Sequence, residues 1–468
     1  MTKTPMSDAP ELCRLGVDAL TAAYRAGTVS PVEVTKAALA RAEAINPAFN
    51  AFSFIDHAGA LTAAAASETR WRAGAPLSSI DGVPTTIKDI VRVTGWSVRY
   101  GSLTTDAAPC TEDAPVVARL RSAGAILIGL TTAPEFGWKA VTDSALNGIT
   151  RNPWNPQMTP GGSSGGAAVA AATGAGVLHL GTDGGGSIRI PCAFTGLTGI
   201  KPTFGRVPAY PPSAFGTIAH IGPMTRRIAD SRHMLRVLSG RDVRDWAQGV
   251  GTLPSLDDAT VSFKGARIGL WSRLPVGELH PEVAARFNGT TKAIEAMGAI
   301  VEPVSLPFLD EIVGVFEVHW ACAAAARLAG IPTSEHTKID PGLRASAAHG
   351  AQCSAAHLVA AQTTRAAFGA AMDQLLDRYD FLIAPGTAIP AFTAGKSAPD
   401  GATNSDWLLW AGFTFPFNLS QQPAASVPMG RTADGLPIGL QIIGARGADA
   451  AVLGLAHSFE TAFPHSFL

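Results

Sequence analysis

Twice in this chain a helical run stops at one glycine and passes straight into a mainly apolar run. In "VVARLRSAGAILIGLT" (116–131) the glycine is Gly124, and the pattern recurs as "AIEAMGAIVEPV" (293–304). A glycine suits the left-handed residue that closes a helix. A strand with no polar face needs cover on both faces, which helices packed on a sheet provide. These units predict an α/β protein. "DRYDFLIAPGTAIP" (377–390) reads as a further strand leaving into a proline-rich loop, and "GLPIGLQIIG" (435–444) as a buried strand or hairpin. "GGAAVAAATGAGVLHLG" (165–181) reads as a buried helix and strand, and residues 9–46 as two amphipathic helices. The second of those helices starts at Ser30-Pro31-Val32-Glu33, which offers a serine cap, a proline in the first turn and a glutamate that can reach back.

Composition excludes several function classes. Hydrophobic residues make up 47% and charged residues 16%, enough apolar side chain for a large core. A net charge of −1 implies no overall basic surface for nucleic acid. Cys13, Cys110, Cys192, Cys322 and Cys353 are dispersed, with no C-x-x-C pair. That pattern fits free thiols in a reducing, cytoplasmic compartment better than a disulfide framework or a zinc cage. Charges interrupt the first apolar stretch, so it reads as neither a secretory leader nor a membrane span.

The chemistry concentrates in two glycine frames, GGSSGG (161–166) and GGGSIR (184–189). Bare backbone amides of this kind suit phosphate or a developing oxyanion, although tight turns alone also use such glycines. No G-x-x-x-x-G-K-[ST] loop is present, and the match to a dinucleotide fingerprint is poor. "DGVPTTIKDI" (81–90) places Lys88 in an apolar setting. Burial disfavours the ammonium, and a neutral lysine is a competent base; the bland alternative is a salt bridge to Asp89. His179, the one histidine near the serines, reads as a hydrogen-bonded core residue. Residues 205–223, rich in Pro and Gly, read as an ordered loop lying over something.

Taken together, "TTIKDI", "PGGSSGG" and "LGTDGGGSIRIP" resemble the amidase signature family, as do "GLTGIKPTFGRVP", "FPFNLSQQPAASVPMG" and "GLPIGLQIIG". The resemblance runs over nearly the whole chain and implies one domain, 1–468, with a central mixed sheet of about ten strands covered by helices on both faces. Within it, residues of about 75–205 would form the signature core, and about 240–410 a more variable region over the pocket. Ser187 is implied as nucleophile, Ser163 as a bridging serine behind a cis Gly162–Ser163 bond, and Lys88 as base. The amides of Gly184, Gly185, Gly186 and Ser187 would form the oxyanion hole. Ser164 would support the triad, and Asp183 and Arg189 would brace the nucleophile loop as a buried charge pair. Gly184 departs from the family, which often carries a larger residue there. Gly137 and Trp138 fall where the family lines its substrate channel, and Tyr210 and Phe215 would sit on a lid.

The implied activity is hydrolysis of small apolar or aryl amides through an acyl-enzyme, with carbamates and esters left open. No cofactor, metal, nucleic acid or membrane is expected, and a homodimer is left open. The A subunit of glutamine-dependent tRNA amidotransferases shares the motif set, but usually carries Gln where this chain has Ile190. An inactive scaffold is the remote alternative, disfavoured because Lys88, Ser163 and Ser187 are all retained.

Overall fold

The computed structural model describes residues 11–249, 251–257, 260–399 and 407–465. Its strands, in chain order, are β1 (Phe52–Ile55), β2 (Pro84–Lys88), β3 (Ile126–Thr131), β4 (Asp143–Ser144), β5 (Gly148–Ile149), β6 (Leu178–Asp183), β7 (Thr198–Lys201), β8 (His220–Thr225), β9 (Arg267–Leu270), β10 (Ile300–Pro303), β11 (Phe381–Pro385), β12 (Ala424–Arg431) and β13 (Pro437–Ile443). β4 and β5 pair as a small ribbon; the rest form one 11-stranded sheet in the order β1-β3-β2-β6-β8-β7-β12-β13-β11-β9-β10. Strand β2 runs parallel to both β3 and β6, and β9 runs parallel to both β10 and β11. All other pairs are antiparallel, so the sheet is mixed, as expected.

The alternation along β11 shows how the core divides. Ile383 packs in one apolar cluster with Ile87, Leu178, Leu180 and Leu440. Its neighbours Leu382 and Ala384 pack in another with Phe194, Trp271, Phe413 and Phe417. Successive side chains of a strand face opposite sides, so helices must cover both faces of the sheet.

The two helix–glycine–strand units differ in where the sheet puts them. The first runs from helix Pro115–Ser122 through Gly124, at φ +82°, into β3, which is buried at every residue. The second runs from helix Pro281–Ala296 through Gly298, at φ +93°, into β10. But β10 is an edge strand, and Ile300 is 51% exposed. Cover on both faces was expected there; the local pattern reports a strand following a helix, not the strand's place in the sheet.

Near the N-terminus a 3-10 turn, Glu11–Arg14, precedes helices Val17–Ala26 and Pro31–Phe49, the latter closed at Ser30 and Glu33 by a reciprocal capping box. Strands β12 and β13 form the C-terminal hairpin. The segment 205–223 is loop with one 3-10 turn, Gly216–Ile218, as far as Ala219; from His220 onward it is β8, paired along β6 with His220 opposite Asp183. Helix Ile312–Ala329 is long and apolar enough to cross a membrane, yet half of it is buried inside the protein.

Candidate active site

Parallel neighbours β2 and β6 end side by side, and open α/β sheets place ligands at such carboxyl ends. β2 delivers Lys88 as its last residue, and β6 delivers Thr182 and Asp183. Between them the chain supplies Ser163 and Ser164 just before helix Gly165–Thr173. The Gly162–Ser163 bond is cis. Thr142 fastens this segment: its hydroxyl donates to Gly161 O at 2.8 Å and accepts from Gly165 N–H at 3.0 Å.

Lys88 is fully buried. Its Nζ lies 2.6 Å from Ser163 Oγ, 2.8 Å from Ser164 Oγ and 3.0 Å from Thr182 Oγ1. Burial pushes the ammonium well below its ordinary value, against the opposing field of Asp183. The hydroxyls around it are not equivalent. Ser164 O–H donates to Thr182 O at 3.2 Å, so its oxygen faces Lys88 as an acceptor. A neutral amine has two N–H groups and one lone pair. With the N–H groups aimed at Ser164 and Thr182, the lone pair is left for the shortest contact, Ser163.

Asp89 does not pair with Lys88. It accepts from Arg99 N–H at 2.9 Å, and burial raises its carboxyl to about 6 despite hydrogen bonds from Arg99, Ser53 and Asn147. His179 bonds Thr86 Oγ1 through Nδ1 at 2.9 Å, and burial lowers it to about 3. It is a core histidine on β6, as read from the sequence.

Behind Ser187, Asp183 and Arg189 form a fully buried pair with Nη2–Oδ1 at 2.9 Å and Nε–Oδ2 at 2.9 Å. Burial alone would raise the Asp183 carboxyl; Arg189, Lys201 and Asn418 overcome it and hold it below the usual carboxylate range. Arg189 also donates to Thr414 O, Gln441 Oε1 and Asn418 Oδ1, and Asn418 Nδ2 returns to Asp183. A buried pair stripped of one partner leaves an uncompensated charge, at a cost of about 3–5 kcal/mol. Asp183→Ala is therefore expected to lower unfolding free energy by about that amount, read by urea denaturation. A loss under about 1 kcal/mol would contradict the bracing role.

The same carboxylate amends the oxyanion expectation. Gly186 N–H donates to Asp183 Oδ1 at 2.7 Å, so this amide is engaged behind the loop rather than offered to substrate. Gly186 sits at φ +133°, and a side chain there would run into Thr414 Oγ1 and Ile190. Gly184 lines the cavity with little room for a side chain: a Cβ there would meet the Trp320 ring at 3.3 Å.

Ser163, Thr182, Asp183, Gly184 and Ser187 all line one cavity of about 240 Å³. Gly137, Trp138, Tyr210 and Phe215 line it too, so the structure brings the sequence-derived pocket residues to the serines. Phe215 stacks on Trp320 with centroids 4.0 Å apart, which packs the 205–219 loop against the cavity wall. Trp320 donates to Trp138 O at 3.1 Å, joining the two indoles into one wall. Sequence reasoning missed Trp320, Tyr100, Phe136, Arg92 and Arg327, all of which line the cavity. It also missed Thr182, Thr414, Asn418 and Gln441. In "WLLWAGFTFPF", Trp407, Trp410, Phe413, Phe415 and Phe417 are all buried core, and Trp407 packs on Trp320 and Phe316.

Comparison with known proteins bears on the family and the fold. The amidase family profile matches residues 33–453. The chain is 33% identical to the glutamyl-tRNA(Gln) amidotransferase A chain of Myxococcus xanthus, covering 94% of this chain and 96% of that one. It is equally, 33%, identical to an acylamidase of Rhodococcus erythropolis, covering 96% of each. The crystal structure of a bacterial aryl acylamidase of the amidase signature family superposes with a TM-score of 0.88 at 30% identity, again covering 96% of each chain. Fold, motif positions and these likenesses converge: the chain belongs to the amidase signature family, hydrolases that act on small-molecule amides.

Proposed function

We propose that this protein is a stand-alone hydrolase of apolar or aryl amides, working through an acyl-enzyme on Ser187. One observation carries the reading: a buried Lys88, driven toward its neutral form, lies 2.6 Å from Ser163 on the floor of the cavity that Ser187 shares. Ser187 Oγ attacks the amide carbonyl, its proton passes to Ser163 Oγ, and the Ser163 proton passes to the lone pair of Lys88 Nζ. The oxyanion is met by the amides of Gly184, Gly185 and Ser187, since Gly186 is engaged by Asp183. The proton held on Lys88 returns through Ser163 to the departing amine, and water then releases the acyl group along the same path. Trp138, Phe136, Tyr100, Phe215 and Trp320 favour an apolar or aromatic substituent. Attack on a carbamate carbonyl uses the same steps, which extends the proposal to urethanase activity.

The equal likeness to the amidotransferase chain supports a second reading, glutaminase chemistry serving a partner. The deciding experiment is kcat/KM on anilides, primary amides, aryl carbamates, esters and glutamine, using the isolated chain. Turnover of anilides without a partner protein supports the hydrolase; activity confined to glutamine, and raised by partner proteins, overturns it. The relay uses no metal, and among the described residues no group of three or more His, Cys, Asp and Glu is placed to hold one. Anilide turnover is therefore expected to survive exhaustive treatment with EDTA or phenanthroline. Loss of activity that returns with added zinc would contradict the relay.

A further inference from the structure

Two aromatic residues of the cavity hold backbone angles that residues with side chains seldom adopt. Tyr100 lies at φ +54° and Phe136 at φ +50°, both in the left-handed region. They are tied together: Phe136 N–H donates to Tyr100 O at 2.7 Å, and their rings lie 6.2 Å apart. Such conformations persist where the surroundings enforce them, and they gather at sites that bind or react. Each of these rings holds an arginine at the cavity. Arg327, reaching from helix Ile312–Ala329, places its guanidinium carbon 5.1 Å from the Phe136 ring centroid. Arg92 hydrogen-bonds to Tyr100 and to Glu112, the latter at 3.2 Å.

The charge here is not balanced. Asp183 is the one carboxylate among the described lining residues, and it is fully buried against Arg189. Glu135, next to Phe136 in the chain, is turned away, accepting from Ser102 Oγ at 2.5 Å and Asp340 N–H at 2.6 Å. Asp340 is bound to Lys139 at 2.9 Å. Glu112 pairs with Arg92 but not with Arg327, which makes no ion pair among the described residues. A half-buried guanidinium stacked on a ring keeps its edge N–H groups available, and that edge matches the two oxygens of a carboxylate.

We propose that the amides taken by this site carry a carboxylate remote from the scissile bond, and that Arg327, with Arg92 lining the same cavity, binds that carboxylate. The aromatic pair serves as a shelf that holds the guanidinium and packs the spacer between carboxylate and amide. This rests on the hydrolase reading for its reaction, but not for its test.

The test uses binding to Ser187→Ala, read by calorimetry, so no turnover is needed. The ligands are succinanilate, glutaranilate, adipanilate and 4-acetamidobenzoate, each beside its methyl ester. The last pair puts the carboxylate on the amine side of the amide, the others on the acyl side. At least one acid is expected to bind tenfold or more tightly than its ester, with an advantage that shrinks as salt is raised. In Ser187→Ala/Arg327→Gln that advantage is expected to fall below threefold, while Arg327→Lys retains part of it. Thermal unfolding of each variant checks that the fold is intact. Equal binding of all acids and esters, or an acid preference untouched by Arg327→Gln, overturns the carboxylate site. If acids bind through Arg327 but the wild type cleaves no anilide, the hydrolase reading fails and the carboxylate site stands. If acids and esters bind alike while neutral anilides are cleaved, the reverse holds.

Discussion

Ser187→Ala is expected to abolish covalent labelling by fluorophosphonate or sulfonyl fluoride probes and to lower kcat by about 10⁴–10⁶-fold, the range seen when one member of a catalytic unit is removed. Position is the reason. Ser187 is 7% exposed, and that exposed surface opens to the cavity, where Gly184 is its neighbour. Ser163 and Ser164 lie deeper, in contact with Lys88. A probe or substrate entering the cavity therefore has Ser187 as the hydroxyl next to the amides that can receive an oxyanion. The substitution deletes one small side-chain oxygen, so unfolding free energy is expected to stay within about 0.5 kcal/mol of wild type. Intact mass after brief exposure to an activated aryl ester should rise by one acyl group in the wild type and not in the variant. Labelling that persists in Ser187→Ala would assign the nucleophile to another residue.

Lys88→Ala is expected to lower kcat at least about a hundredfold, the lower end of what a positioned general base supplies. The pH dependence carries more information. Activity needs the neutral amine, and the neutral fraction grows as pH rises through the pKa of folded Lys88. Burial lowers that pKa well below 10.5. The rise in kcat/KM should therefore be complete well before the alkaline pH at which a solvated lysine loses its proton. Lys88→Arg should be no better than alanine, because a guanidinium stays protonated. In the proposed relay Lys88 and Ser163 act as one unit, so Lys88→Ala/Ser163→Ala should be far less damaged than the product of the two single losses. A wild type most active in acid, or Lys88→Ala with more than about a tenth of the wild-type kcat, would remove lysine from the role of base.

That Lys88 and the serines come together at one cavity could be read from sequence, because the glycine and serine frames and the lysine among apolar residues are short local patterns. Glycines flanking the Ser163–Ser164 pair, and the three that precede Ser187, stand out along the chain. What closes the cavity was not visible, because it arrives from far away. Trp320 and Arg327 come from a helix whose apolar face reads as plain core, and only the fold turns that helix toward Gly184. Tyr100 and Phe136 gave no sign of their left-handed backbone, which glycine or asparagine would have advertised. The engagement of the Gly186 amide is a matter of dihedral angles within three successive glycines, which sequence does not distinguish. Asn418 did leave a trace: a polar side chain inside "FTFPFNL" must find partners if buried, and it finds Asp183 and Arg189. The misplacement of β10 has the same origin as the missed tryptophan, since neighbour order in a sheet is set by pairings remote in the chain.

The partners of Arg189 have a consequence for how the enzyme comes into being on the ribosome. The nucleophile loop is translated early, yet the atoms that hold it come from Thr414, Asn418 and Gln441. Until Gln441 has left the exit tunnel, the Asp183–Arg189 pair lacks its outer shell and β12 lacks the neighbour β13. A nascent chain arrested before that point carries every residue of the relay but no assembled loop to aim it. Probe reactivity should thus switch on late and abruptly along a series of stalled chains, with the step falling after Gln441 emerges rather than after Ser187.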